Sequence, residues 1–140
     1  KSKHAHALES LSRGRKGMEA TWVSRVHDPE CLACHVTGWD PQNVLRYDSG
    51  YLDETTTAHL AGQQCENCHG AGNKHTDLER QYRADLKSVT QDQLIAARAG
   101  LKLNSKTAEK LVCSKCHDYE NSPNFKFEKY WDEVKHPWKD

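Results

Sequence analysis

The chain is short of aliphatic side chains. Leu, Ile, Val and Phe together make 22 of its 140 residues, about 16%, below the roughly 20% at which a folded chain becomes doubtful. Mean hydropathy is −0.94. Such a composition excludes a large aliphatic core. Net charge is lacking too: 20 Lys and Arg face 20 Asp and Glu, so no global field argues for nucleic acid or an anionic membrane as partner. No run of 18 or more apolar residues occurs, which excludes a transmembrane helix. There is no initiator Met and no signal sequence; the chain begins at Lys1, as expected of a processed or excised product. Against these shortages stand 4 Trp, 5 Tyr, 6 Cys and 9 His, which is not the make-up of a disordered tail. Something other than aliphatic side chains is expected to fill the interior of a single domain over residues 1–140.

The cysteines say what that is. All six fall into three copies of one pattern: Cys31-Leu32-Ala33-Cys34-His35, Cys65-Glu66-Asn67-Cys68-His69 and Cys113-Ser114-Lys115-Cys116-His117. Cys-x-x-Cys-His is the attachment motif of c-type haem. Two thiols on one helical turn meet the two vinyl groups of a porphyrin, and the adjacent His ligates the iron. With 9 His in 140 residues, a His follows a given CxxC by chance about 6% of the time, so three in three is not accidental. Two other uses of CxxC fit less well. Zinc knuckles lie about 15–20 residues apart; these gaps are longer, and three pairs leave one unmatched. A thioredoxin-like redox motif needs a βαβ context, which is absent. Three haem c groups are therefore expected, and their porphyrins would supply the missing apolar core. Covalent attachment takes place after export, so a periplasmic or extracellular location is expected.

The pattern between the motifs predicts a mostly α, loop-rich chain around a haem-filled core. Ser2 to Leu11 reads as a short helix with Ala5, Leu8 and Leu11 on one side, and Met18 to Val26 as a second. Val36 to Thr57 is the least helical stretch. There Asp40-Pro41 and Asp48-Ser49-Gly50 signal turns, and Leu45 and Tyr47 against Tyr51 suggest a small hairpin. Gly70-Ala71-Gly72 reads as a loop where backbone approaches something closely. Further helices are expected over Asp77–Leu86, over Gln91–Ala99 with a Thr90–Gln93 capping box and a closing Gly100, from a Ser105 cap to Cys113, and from Phe127 to a stop at His136-Pro137.

His35, His69 and His117 are the expected proximal ligands. His4, His6, His27, His59, His75 and His136 remain, and three haems need at most three of them. The flanks of the motifs carry a resemblance. His4-Ala5-His6-Ala7-Leu8-Glu9-Ser10-Leu11, Cys31 to Gly38, Gln64 to Gly72, Cys113 to Pro123, and Phe125-Lys126-Phe127 followed by Glu133-Val134-Lys135 stand in the order found in the cytochrome c-554 family. These are four-haem c-type cytochromes that serve hydroxylamine oxidation, related to the hydroxylamine oxidoreductase and multihaem nitrite reductase group. The chain resembles this family over nearly its whole length but lacks its first haem motif; its three motifs look like the second, third and fourth.

The resemblance implies roles for the remaining histidines. His4 matches the distal ligand of the haem here on Cys65 and Cys68. His136 stands close to the distal ligand of the last haem, here on Cys113 and Cys116. His75 resembles the ligand of the absent first haem. It is left vacant, serves a haem from another segment or chain, or is redeployed. The haem on Cys31 and Cys34 corresponds to one that is five-coordinate and high-spin in the family, and His59 is the candidate to close it. His27 is expected at the surface or on a propionate, His6 at the surface, and Arg13-Gly14-Arg15-Lys16 on a solvated face or a propionate.

These readings converge on electron transfer between redox partner proteins, with no nucleic acid and no membrane span. Two propionates per haem would make the loaded protein more acidic than its sequence, which suits a basic partner. Two alternatives stay open. One is an enzyme or ligand-binding protein with an open haem for nitric oxide or hydroxylamine, with His59, Asp53 and Glu54 as nearby acid–base candidates. The other is a trihaem subunit or fragment of a larger multihaem assembly or oligomer.

Overall fold

A computed structural model of the chain describes residues 2–13, 20–40, 50–101 and 103–135. Among these residues there are seven α-helices, several short 3-10 turns and no sheet. The mostly α, loop-rich expectation holds.

The N-terminal segment is a 3-10 turn over Lys3–His6, with the Ser2 hydroxyl accepting from the His4 N–H, followed by α1 (Glu9–Arg13). Leu8 and Leu11 are buried as their spacing requires. The helix expected over 18–26 does not form within 20–26. Tertiary bonds compete there: the Arg25 N–H and the Trp22 indole N–H both donate to the Leu11 carbonyl. β-Branched Thr21, Val23 and Val26 also favour extended backbone.

α2 (Pro29–His35) carries the first motif. Asp28 caps it by accepting from the Glu30 N–H, Pro29 opens it, and Val36, in extended backbone, ends it. Leu8, Leu11, Val26, Leu32, Val36 and Tyr51 form the main hydrophobic cluster, with Cys31, Trp39, Leu60 and Ala61 against it. It is small, and it lies directly behind the first motif. The expected hairpin partners Leu45 and Tyr47 lie outside the described residues.

The chain leaving the first motif is bonded to the chain entering the second. Val36 and Ala61 form an antiparallel bridge. The Thr37 hydroxyl, buried at 5% exposure, donates to the Gly62 carbonyl and accepts from the Gln64 N–H. Gly62 has φ +78, and a Cβ there would run into the carbonyl of Ala5. This close approach lets the Gln63 N–H reach the His4 carbonyl and pins the N-terminal segment beside the second motif.

α3 (Cys65–His69) carries that motif and ends at Gly70, φ +73. Nothing lies within 4 Å of the position a Gly70 Cβ would take, so the left-handed backbone, not a close approach, asks for glycine at this position. α4 (Asn73–Ala84) starts four residues earlier than Asp77, because Asn73, Lys74 and His75 carry no apolar period to announce it. α5 (Gln91–Ala99) has the expected capping box. It packs on α4, with Leu94 buried and an Arg98–Glu79 ion pair between the two helices. α6 (Ser105–Leu111) is capped by Asn104 rather than its neighbour Ser105, both being good caps. The third motif follows as a 3-10 turn over Cys113–Lys115. α7 (Phe127–Val134) closes the described chain, with Lys135 as its C-cap, just short of the expected stop.

Candidate haem centres

Each motif occupies a single helical turn. In α2, Cys31 and Cys34 stand three residues apart on one face, with His35 four residues after Cys31. α3 repeats this for Cys65, Cys68 and His69. At the third, the Cys116 and His117 N–H groups both donate to the Cys113 carbonyl, so the turn closes just before the ligand.

The imidazoles are oriented. The His35 Nδ1 lies 2.7 Å from the Ala7 carbonyl oxygen, with the Ser10 hydroxyl at 3.4 Å. The His69 Nδ1 lies 2.7 Å from the Leu101 carbonyl oxygen. The His117 Nδ1 lies 3.0 Å from the Ser122 hydroxyl oxygen. A carbonyl can only accept, so Nδ1 carries the proton at the first two sites. That tautomer leaves the Nε2 lone pair free for a metal, the arrangement of metal-bound histidine. Backbone acceptors leave no mark in a sequence, so Ala7 and Leu101 were not legible there. Ser122, five residues after His117, lies within the Cys113 to Pro123 flank, where nothing in the sequence marks it as an acceptor.

All six cysteines are free of disulfides, and the motifs converge. The Cys34 thiol donates to the Lys115 carbonyl at 3.8 Å. Burial, and then the Cys34 thiol beside it, pushes the Cys116 thiol up to about 12. Burial likewise raises Cys31, Cys68 and Cys113 above the ordinary thiol value. Such thiols stay protonated, unlike the low-pKa cysteines of redox motifs. A structural zinc site needs four protein donors, and among the described residues no three His, Cys, Asp or Glu gather as one. A porphyrin brings its own four nitrogens. Two thiols and one oriented imidazole per motif therefore fit haem c.

Around the third motif the surroundings are aromatic. Phe125 stacks on His117 at 4.3 Å, and Tyr130 on Phe125 at 5.9 Å. The His4 ring stands edge-on to His117, 5.9 Å between centres and 73° between planes. Burial, and then the neighbouring His4, lowers the His117 pKa, which keeps the ring in its ligand form.

The other candidates are spread out. His59 sits exposed in a 3-10 turn over Ala58–Leu60. His27 is exposed, and the exposed His6 Nδ1 pairs with Glu9 at 2.6 Å. His136 lies outside the described residues, as do Gly14, Arg15 and Lys16. His75, on α4, points Nδ1 toward Glu79 at 3.9 Å without a hydrogen bond. It lines an open groove of about 520 Å³ with Arg80, Arg83 and Arg98. Asp53 is committed to its own loop. Its carboxylate accepts from the N–H and hydroxyl groups of Thr55 and Thr56, which holds it well below the usual carboxylate range. It is no proton donor near neutral pH.

The family described as cytochrome c554 and c-prime matches residues 1–70, which contain the first two motifs and His4. The chain belongs to this family. It is thus a c-type cytochrome of electron transfer, carrying covalently bound haem c with its iron. No curated protein and no solved structure matches the chain. No helix of the described residues is long and apolar enough to cross a membrane.

Proposed function

We propose that the chain is a three-haem electron carrier of the periplasm or an equivalent exterior space, passing electrons between redox partner proteins. Residues 1–140 act as one domain whose missing core is porphyrin. Cys31 and Cys34, Cys65 and Cys68, and Cys113 and Cys116 form the thioethers; His35, His69 and His117 are the proximal ligands. The observation that carries this reading is the Nδ1 partner held by each of the three motif histidines. It supports ligation at the third motif as at the two within the family match.

Haem c supplies an iron that changes oxidation state with little change in geometry. The protein's part is to orient and tune. Ala7, Leu101 and Ser122 fix the ring planes, and Phe125 and Tyr130 keep water from His117. His4, His59, His75 and His136 are the candidate distal ligands. The His4 ring stands 5.9 Å from His117, which supports His4 as a residue that would help hold the haem on Cys113 and Cys116, in place of the Cys65 and Cys68 haem that the resemblance suggests. His59, His75 and His136 are then the candidates for the first two irons. A second reading, a subunit of a larger multihaem assembly, draws support from His75. Its Nδ1 faces a carboxylate in an arginine-lined groove, as a ligand awaiting a haem from another chain would.

Pyridine haemochrome with EPR of the oxidised protein tests this. The expected result is three haems per chain, with one low-spin signal turning high-spin in His4→Ala. Fewer than three haems would overturn the reading.

A further inference from the structure

The three proximal histidines differ in one respect. His35 and His69 each donate Nδ1–H to a peptide carbonyl at 2.7 Å. His117 faces an aliphatic hydroxyl at 3.0 Å, a weaker acceptor at longer range. A strong acceptor on Nδ1 draws the proton away, makes Nε2 more basic and favours ferric iron; a weak one favours ferrous iron. Resting on the three-haem reading above, we propose that Ser122 is a positioning residue which, by giving His117 only a weak acceptor where the other two sites have a carbonyl, leaves the haem on Cys113 and Cys116 the highest-potential of the three. The third motif is then where an electron comes to rest and from which it leaves.

The rest of the third site supports the same ordering. Ser122 is fixed by its backbone. Its N–H donates to the Asp118 carbonyl, and its own carbonyl accepts from the Phe125 N–H, both at 2.9 Å. This holds the Ser122 backbone beside the ring its hydroxyl contacts. Phe125 covers one face of His117 at 4.3 Å, and an apolar neighbour disfavours the extra positive charge of ferric iron. The nearest carboxylate in sequence, Asp118, is engaged by the Asn121 N–H and side-chain amide, which spreads its charge.

The test is a spectroelectrochemical titration of the haem-loaded protein, wild type against Ser122→Ala and Ser122→Asn. Haem is counted in each sample first. A wild-type count other than three overturns the three-haem reading; a count of three isolates the ordering. Ser122→Ala removes the acceptor and is expected to raise only the highest midpoint. The change is about three- to tenfold in the reduced-to-oxidised ratio at fixed potential, tenfold being 59 mV for a one-electron couple. Ser122→Asn offers an amide carbonyl and is expected to lower that same midpoint, so the proposal stays testable if the alanine variant does not mature. Unmoved midpoints in both variants, a shift in one of the lower two, or shifts of the opposite sign would overturn it.

Discussion

Replacing Thr37 by Val keeps the shape of the side chain and removes its hydroxyl. That hydroxyl donates to the Gly62 carbonyl and accepts from the Gln64 N–H, both at 2.9 Å, at a position 5% exposed. Each bond contributes about 0.5–1.5 kcal/mol net, and a buried group left without a partner costs about 1–3 kcal/mol. Two groups are stranded, and local shifts that admit water relieve part of the cost, so the expected loss is about 2–3 kcal/mol. Thr37→Ser is the control. It keeps both bonds and loses one methyl, for about 1 kcal/mol. Guanidinium unfolding of the haem-loaded protein, followed at the Soret band, gives both values. Valine should unfold at the lower denaturant concentration. If valine equals or exceeds serine, packing and not the hydroxyl joins the first two motifs, and the reasoning fails.

Gly62→Ala meets the Ala5 carbonyl and must hold a positive φ. It is expected to cost about 1–2 kcal/mol from the backbone alone and to displace His4, read as a high-spin fraction in the EPR spectrum together with a lower unfolding midpoint. The Asp53 carboxyl is depressed below its ordinary 3.8 by the Thr55 and Thr56 donors. Its contribution is therefore present in full above about pH 4 and is lost as the pH falls below that value. Denaturant midpoints measured from pH 6 downward should fall more steeply in the wild type than in Asp53→Asn, and parallel curves would refute the assignment.

The motifs were the most legible part of the chain, because one Cys-x-x-Cys-His spacing recurs three times and uses every cysteine. The Thr90–Gln93 cap and α5 were equally plain, since capping is local chemistry written within four residues. The helix expected over 18–26 does not form in its described part because the Leu11 carbonyl, far away in sequence, takes the Trp22 and Arg25 donors. The start of α4 was misplaced because no apolar residue marks its first turn. Distal ligation was the least legible. The sequence shows that histidines are in surplus, but only the fold brings the His4 ring against His117.

The partners of the motif histidines differ in reach. His35 is oriented from 28 residues away and His69 from 32, whereas His117 is oriented from five. If the three motifs hold haem as proposed, the third would acquire its ligand orientation as soon as its own loop closes, whereas the first would need the N-terminal segment to dock and the second the chain beyond α5. On the three-haem reading, a relay would then be complete only when segments distant in sequence have come together.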